Sequence, residues 1–568
     1  MRLPPSALDC YGPKAPGSSS DPTILKKSAK RKGPANIDKH LFEAGLQCHK
    51  RLWLDYHEPA KESASASRQE MSRVGDELRE LARTAFPMGV AVDAADPAAA
   101  AEQTQELLAK DTPVLFDATF IANGIEAQCD ILIVHHNKET NEKVVDLFEI
   151  KSGTKVKHRY VNDLALQASV LEQCDLKMKS AYLLHINPKY AHTEGEEFPP
   201  MQLLRSADIT AKVQKQLPNV ARRLKHLRLA LDNDGVLELP MGTFCKNPFP
   251  CPHVARCLKD APELPLHQLP ELTRQQEIEL HKEGIEELMS IDDGREGLTF
   301  RQRRTLACMQ KQERIVEPFL AEELYGCTLP LHFVAIAAVT EPLPRFHQQR
   351  PWQLAPYAWA VKTIHEDGRV ETASWAHVDR SDPRGPFIKS LTRHIEVGGT
   401  IMCWRSEAIR ELRSMLDSVP DEKSSVRMLL GFEHLDMMQL LEAGVFDPQL
   451  LSYADFREVV GTLLGDRSGD SLNALDANYR YEALQKGRTP RVRTSTRDKI
   501  SAEMQEALTW QAEKLSEIFE MFAPAADRPA AEAEEGDHAG SDDADSNDVD
   551  SNDAGGGDEA ATQSREPS

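Results

Sequence analysis

The sequence predicts an α/β protein with two successive mixed sheets between non-globular ends, and three observations predict it. A chain of 568 residues is too long for one hydrophobic core. Residues 38–187 read as two helices, three strands, a helix and a strand, an α/β order with a mixed sheet, and a second strand-led stretch opens at residue 331. From residue 523 onward the hydrophobic period disappears. That tail holds fourteen acidic and two basic residues and reads as disordered.

The formal net charge is −22, and removing the tail leaves the body at −10. An acidic body gives no argument from net charge for a nucleic-acid partner. An argument for such a partner can rest only on local basic patches such as 26–32, 222–228 and 488–497, and each of these reads first as a solvated face or tail. No apolar run of membrane-spanning length occurs, and residues 1–35 lack the apolar centre of a signal peptide, so a soluble, cytoplasmic protein without membrane association is expected. Ten cysteines without a secretion signal read as reduced thiols, and clustered ones as metal ligands before disulfides.

Taken in order, residues 1–36 read as a flexible basic arm. Residues 38–56 predict one amphipathic helix and 68–87 another, stopped around Pro87 and Gly89. Two apolar strands within 113–136 flank Asn123-Gly124, a hairpin signal. Residues 143–153 form a third strand, 161–174 a helix and 180–187 a returning strand. This first unit, 37–262, closes at the cysteines of 245–257. Residues 263–325 read as a polar helical linker. Within it, 272–293 resembles half of a helix-hairpin-helix, which presents backbone amides to phosphate; a plain connector fits equally. The strand 331–339 and a hairpin around Asp367-Gly368 open the second α/β unit, 326–522.

Asp130 ends the small-residue approach Ala127-Gln-Cys-Asp130 into a strand, and Glu149 and Lys151 lie two apart on the next. Side chains alternate along a strand, so Glu149 and Lys151 share a face while Ile150 packs behind. Pairing the strands brings two carboxylates and an ammonium to one spot. Such a set can hold Mg²⁺ or Mn²⁺ for phosphodiester hydrolysis, with Lys151 orienting the nucleophile and balancing charge on the phosphorane. Asp163 and Gln167, one helical turn apart on the following helix, let Gln167 reach the same place. Glu-x-Lys alone is common on exposed strand faces; the ordered set singles it out.

Cys245, Cys251 and Cys257 follow a C-x5-C-x5-C spacing that needs a fourth thiolate, and Cys48 is the best candidate. Four thiolates suit Zn²⁺ or an iron–sulfur cluster. The missing C-x2-C knuckle and the prolines 248, 250 and 252 favour a cluster. Cys10, Cys129, Cys174, Cys308, Cys327 and Cys403 read as ordinary thiols.

The ordered set Cys48, Asp130, Glu149-x-Lys151, Gln167, Cys245, Cys251 and Cys257 resembles the RecB-type PD-(D/E)XK nucleases with a 4Fe–4S cluster, such as the CRISPR-associated adaptation nuclease and the AddB helicase-nuclease subunit. The stretches "VLFDATF…DILIV", "EIKSGTKVK…YVNDLALQASVL" and "GTFCKNPFPCPHVARC" are similar to bacterial proteins that carry the domain of unknown function 2779, over residues 40–260. The resemblance implies a restriction-endonuclease-like fold, a 4Fe–4S cluster on the four cysteines, and Mg²⁺ or Mn²⁺ at Asp130, Glu149 and Ile150. It also implies action on DNA, with single-stranded DNA or ends as substrate. Two departures stand out. Relatives have a metal-holding histidine on an early helix, where this chain offers Asp76 and Glu77, and their Gln-x-x-x-Tyr motif reads Gln167-Ala-Ser-Val-Leu171.

The same resemblance implies that the second unit is a ribonuclease H-like domain similar to DEDD exonucleases. Residues 331–361 resemble its opening segment and 381–387 its next landmark. Ala335 and Ala337 stand where the Asp-x-Glu metal pair would be; Asp436 is a match for the third acid, and Glu407 and Asp498 are loose matches. The expectation is a DNA nuclease with one working site and a second domain left to hold DNA or a partner protein. The rival is a binding or scaffold protein that keeps the fold and cluster without cutting.

Overall fold

The computed structural model describes residues 36–59, 66–137, 139–140, 142–395, 398–406, 409, 411–471, 481–482 and 494–523. The arm 1–36 and tail 523–568 therefore lie outside the described residues except at Asn36 and Ala523, as do the basic stretch 26–32, residues 488–493 and Glu407. The described residues belong to one compact unit that ends at Ala523.

Helix α1 (Lys39–Gln47) starts where the Asp38 side chain accepts from Leu41 N at 2.7 Å, one bond for the amides that a helix start leaves unpaired. It stops at Cys48, whose extended backbone (φ −161°, ψ 128°) ends α1 and begins α2 (His49–His57). The single helix expected over 38–56 is thus two helices: apolar periodicity runs through the break, and only the backbone at Cys48 interrupts it. Helix α3 spans Ala66–Arg83.

The first sheet has strands β1 (Gly89–Ala91), β2 (Val114–Ala122), β3 (Ile125–Asn137), β4 (Glu142–Lys151), β5 (Lys177–Ile186) and β6 (Leu204–Asp208), hydrogen-bonded in that order. The β1–β2 and β4–β5 pairs are parallel and the others antiparallel. Asn123 and Gly124 turn the β2–β3 hairpin with φ of 48° and 69°, a backbone that two-residue hairpins require and that Asn-Gly adopts readily. Helix α4 (Pro97–Ala109) precedes β2, α5 (His158–Gln173) makes the crossover between the parallel β4 and β5, and α6 (Thr210–Leu231) follows β6.

Successive strand residues face opposite layers. Leu115, Leu132, Val145, Leu147 and Leu183 pack with Phe42, Leu52, Leu164 and Leu227 from the helices on one side, while Phe116, Ile131 and Ile150 pack with Leu78 and Ala82 of α3 on the other. Each fully buried large apolar side chain contributes roughly 1.5–3 kcal/mol, so both faces are firmly covered. The basic run 222–228 lies on α6: Leu224 and Leu227 enter the core, and Arg228 Nη2 donates to Gly124 O at 2.7 Å.

In the linker, α7 (Arg274–Lys282) and α8 (Phe300–Lys311) both start with capping boxes, Thr273–Gln276 and Thr299–Gln302. Gly284, at φ 81°, turns the chain after α7. Leu266, Leu280, Leu288 and Leu306 close a small core there.

The second sheet holds β7 (Leu331–Val339), β8 (Ala355–Ile364), β9 (Val370–Ala376), β10 (Thr400–Cys403) and β11 (Glu433–Asp436) in the order β9-β8-β7-β10-β11. The first three strands are antiparallel; β10 is parallel to β7 and to β11. The long last helix α9 (Thr494–Phe522) lays Ile500, Met504, Leu508 and Phe519 over the face that carries Phe333 and Ala335. No described helix is long and apolar enough to cross a membrane.

Candidate active site and cysteine centre

The register Ile131↔Phe148 sets Asp130 beside Glu149 on neighbouring antiparallel strands. Asp130 Oδ2 accepts from Ile150 N at 2.8 Å, and Glu149 Oε1 receives Lys151 Nζ at 2.6 Å. From α5, Gln167 Nε2 donates to Glu149 Oε2 at 2.8 Å, and Asp163 lies 3.2 Å from Lys151 Nζ. The structure therefore brings Asp130, Glu149, Lys151 and Gln167 together, and the first three line a cleft of about 680 Å³. The Ile150 side chain is in the apolar layer beneath, so its main-chain carbonyl is what it can offer an ion. Leu171 is core; the tyrosine near the site is Tyr160, at the start of α5, whose ring lies 5.5 Å from Lys151 Nζ.

Burial and the Glu149 charge push the Asp130 carboxyl up to about 6. Burial also pushes Glu149 up, but the Lys151 and Lys39 ammonium groups outweigh it and hold Glu149 below the usual carboxylate range. Two adjacent carboxyls so separated are a common feature of catalytic sites.

Five groups at this site, Lys39, Glu43, Asp117, Arg83 and Arg79, escape a reading of the sequence alone. Lys39, in the first turn of α1, reaches Glu149 Oε1 at 2.5 Å and Asp163 at 3.2 Å. Burial alone would lower its pKa, but the charges of Glu149, Asp163 and Asp130 raise it well above the ordinary value. Glu43, one turn further along α1, lines the cleft and is pushed up by burial and by Asp163. Asp117, at φ 55°, stands opposite Asp130 where the β2–β3 pairing lapses between Phe116↔Ile131 and Ala118↔Cys129 without a change of register. Its carboxylate pairs with Arg83, while Asp76 pairs with Arg79. All four of these α3 and β2 side chains line the cleft. Glu77 is paired with Arg73 instead.

Cys48, Cys245, Cys251 and Cys257 line one small cavity together with Arg51 and His253. The break between α1 and α2 places Cys48 there. Gln47 Nε2 donates to Phe244 O at 2.7 Å and to Phe249 O at 2.8 Å, tying the end of α1 to the 244–249 turn. Fully buried Glu277 holds the same turn from α7, accepting from Thr243 N at 3.0 Å and Thr243 Oγ1 at 2.9 Å. Asp55 accepts from His253 Nε2 at 2.7 Å. Burial raises the Asp55 carboxyl, yet the bonds from His253 and His40 leave it below the ordinary value. Burial pushes the Cys48 thiol up to about 12 and the Cys245 thiol up to about 11.

Among the described residues, no group of three or more His, Cys, Asp or Glu side chains is arranged to hold a metal ion. The donor chemistry nevertheless fits the expected groups. Four free cysteines line one cavity, a donor set that suits Zn²⁺ or an iron–sulfur cluster, and Cys245 Sγ accepts from Gly242 N at 3.5 Å. A buried carboxyl beside a second one, as Asp130 is beside Glu149, is relieved by a bound cation.

The second sheet has no comparable centre at the expected positions. Ala335 is buried against Tyr357, Ile500 and Met504, and Ala337 packs at the edge of the same cluster. Asp436 is committed: Oδ2 accepts from Ser406 N and Oγ, both at 2.9 Å, and Oδ1 caps the following helix at Gln439 N, 3.0 Å away. Asp498 is exposed on α9. The landmark 381–387 meets the opening segment 331–361 at residues 346 and 347. Buried Arg384 binds Asp382 at 2.7 Å and His347 O at 2.8 Å, and its guanidinium lies 5.6 Å from the Phe346 ring.

Fold and site together define a mixed α/β protein with a carboxylate–lysine cleft on its first sheet and four cysteines around one cavity outside that sheet. The chain carries, at residues 333–453, a match to the family model described as a domain of unknown function (DUF2779). That match falls on the second sheet, whereas the motifs quoted for the resemblance lie in residues 40–260. No curated protein matches the chain.

Proposed function

We propose that this chain is a Mg²⁺- or Mn²⁺-dependent DNA nuclease with one working site, a structural 4Fe–4S cluster on Cys48, Cys245, Cys251 and Cys257, and a second sheet that no longer cuts. The observation that carries the reading is the convergence of Asp130, Glu149 and Lys151 from adjacent strands at an open cleft, with Gln167 fixing Glu149 from the crossover helix. The order β2-β3-β4-α5-β5 with these residues in place supports a PD-(D/E)XK reading of the first sheet. The order β9-β8-β7-β10-β11 supports a ribonuclease H-like reading of the second.

A divalent ion held by Asp130, Glu149 and the Ile150 carbonyl would supply an activated water and offset phosphate charge. Lys151 sets a positive charge beside the same carboxylates, where it can orient the attacking oxygen and stabilise charge that grows in the transition state. Gln167 occupies Glu149 Oε2, which leaves Oε1 aimed at the ammonium groups.

The raised Asp130 carboxyl gives a pH dependence with a definite sign. Below about 6 the proton occupies Asp130 and competes with the cation, so Mn²⁺ affinity is expected to rise about tenfold per pH unit up to pH 6 and to level off above it. Calorimetric titration with Mn²⁺ between pH 5 and 8 checks this.

The functional test is cleavage by anaerobically purified full-length protein, with Mg²⁺, Mn²⁺ or EDTA, on single- and double-stranded DNA and RNA. Metal-dependent cleavage of DNA is expected from the wild type, and none from Glu149→Ala. Residual cleavage lost only on adding Asp436→Ala would place a working site in the second sheet.

A further inference from the structure

We infer that the cleft opens onto a track for single-stranded nucleic acid, running from Trp352 across residues 152–159 to Phe249, in which aromatic faces stack bases and lysines neutralise phosphates. This deepens the nuclease reading and rests on it for the position of the cleavage site. Residues 150–162 contain no acidic residue although the body of the chain is acidic. They begin with the catalytic strand's Ile150 and Lys151 and continue through Lys155, Lys157 and Arg159. Lys155 and Lys157 are exposed, and neither has a carboxylate partner among the described residues.

The aromatic parts come from two other regions of the chain. Trp352 is 41% exposed and stands at φ 62°, a backbone conformation that bulky residues rarely hold without compensation. Its indole N–H donates to Ser152 O at 2.9 Å, one residue beyond Lys151, and its own N–H donates to Glu341 O at 2.7 Å. Leu343 of the same loop packs against the layer that contains Ile150. The second sheet thus delivers an exposed, oriented indole to the end of the catalytic strand.

At the other end, Phe249 on the cysteine turn is 42% exposed. The Arg159 guanidinium lies 4.7 Å from its ring and 4.9 Å from the Tyr160 ring, and Tyr160 in turn adjoins Lys151. Exposed aromatics interleaved with lysine and arginine are how proteins hold single strands: every base offers a face to stack, and phosphates follow the positive charge.

The experiment measures fluorescence anisotropy of full-length, anaerobically purified protein in EDTA with three probes of equal length: a DNA single strand, the same strand in RNA, and an abasic strand. Trp352→Ala and Phe249→Ala are each expected to weaken base-bearing strands about tenfold or more while leaving the abasic strand unchanged. Trp352→Phe keeps an aromatic face and is expected to keep base-dependent binding. The Lys155→Ala/Lys157→Ala double variant should weaken all three probes and flatten the log–log salt slope by about 1.4. The strand bound tighter, DNA or RNA, names the substrate sugar.

Equal affinity of the wild type for base-bearing and abasic strands would overturn the track, as would wild-type binding by both Trp352→Ala and Phe249→Ala. Cleavage followed on the same preparations with Mn²⁺ separates this outcome from failure of the nuclease reading. A protein that binds as expected without cutting loses the nuclease reading alone, and one that cuts while the variants bind normally loses the track alone.

Discussion

Asp130→Ala, Glu149→Ala and Lys151→Ala are each expected to lower metal-dependent DNA cleavage by about a thousandfold or more, and the double variants to lose little beyond the singles. The reason is geometric. Glu149 is bonded to Lys151, Lys39 and Gln167, and Asp130 to the amide of the next residue on the Glu149 strand. On the proposed reading, removing either carboxylate would dismantle the ion site, and removing Lys151 would deprive the growing negative charge of its partner. Groups that act as one unit do not add. Gln167→Ala is milder, on the order of 10–100-fold, because it releases Glu149 from a fixed orientation without removing a charge. Circular dichroism and iron content should stay at wild-type values in all four, and single-turnover cleavage with Mn²⁺ reads the loss.

Cys48→Ser is expected to remove the cluster's absorbance and lower Tm by about 5 °C. Cys48 lies at the α1–α2 break, and the other three thiols lie some two hundred residues later, at 245–257. A ligand set that joins them closes a loop longer than a hundred residues, and losing such a closure costs about 4–5 kcal/mol by the chain-entropy relation. For a body of this size that corresponds to the stated Tm change. Helix α1 carries Lys39 and Glu43 toward the carboxylate site at its start and Gln47 and Cys48 toward the cysteine turn at its end. Loosening that end should therefore also slow cleavage. Wild-type protein should hold about four irons per chain, and Cys403→Ser, at a buried thiol in the second sheet, should keep them. Stoichiometric zinc without iron in anaerobic material, or full iron in Cys48→Ser, would refute the assignment.

Much of the first sheet was legible because strand alternation and turn chemistry are local. Asn123-Gly124 adopts the backbone its hairpin needs, and the strand with Glu149 and Lys151 runs Glu142–Lys151. In the second sheet β7 coincides with the apolar run 331–339, and Gly368, at φ 80°, turns the β8–β9 hairpin. What stayed hidden depends on distant partners. Lys39 meets Glu149 across 110 positions, and nothing near Lys39 in the chain announces a buried carboxylate. The helix break at Cys48 is invisible to periodicity, since Leu41, Phe42, Leu52 and Leu54 are all buried on either side. Asp117 reads as a polar residue on a strand until its φ of 55° and the lapse in pairing opposite Asp130 are seen. Helix α4 carries its own local start signal: the Asp96 side chain caps Ala98 N and Ala99 N, and Pro97 takes the first helical position.

The most direct measurement is a Mn²⁺ titration followed by electron paramagnetic resonance, with cleavage of a labelled DNA strand read in the same samples. The wild type is expected to remove free Mn²⁺ from solution and to cut in proportion to the ion bound. Glu149→Ala should leave both the Mn²⁺ signal and the DNA intact. Uptake and cleavage by Glu149→Ala at the wild-type level would contradict the assignment of Asp130, Glu149 and Lys151 as the catalytic centre.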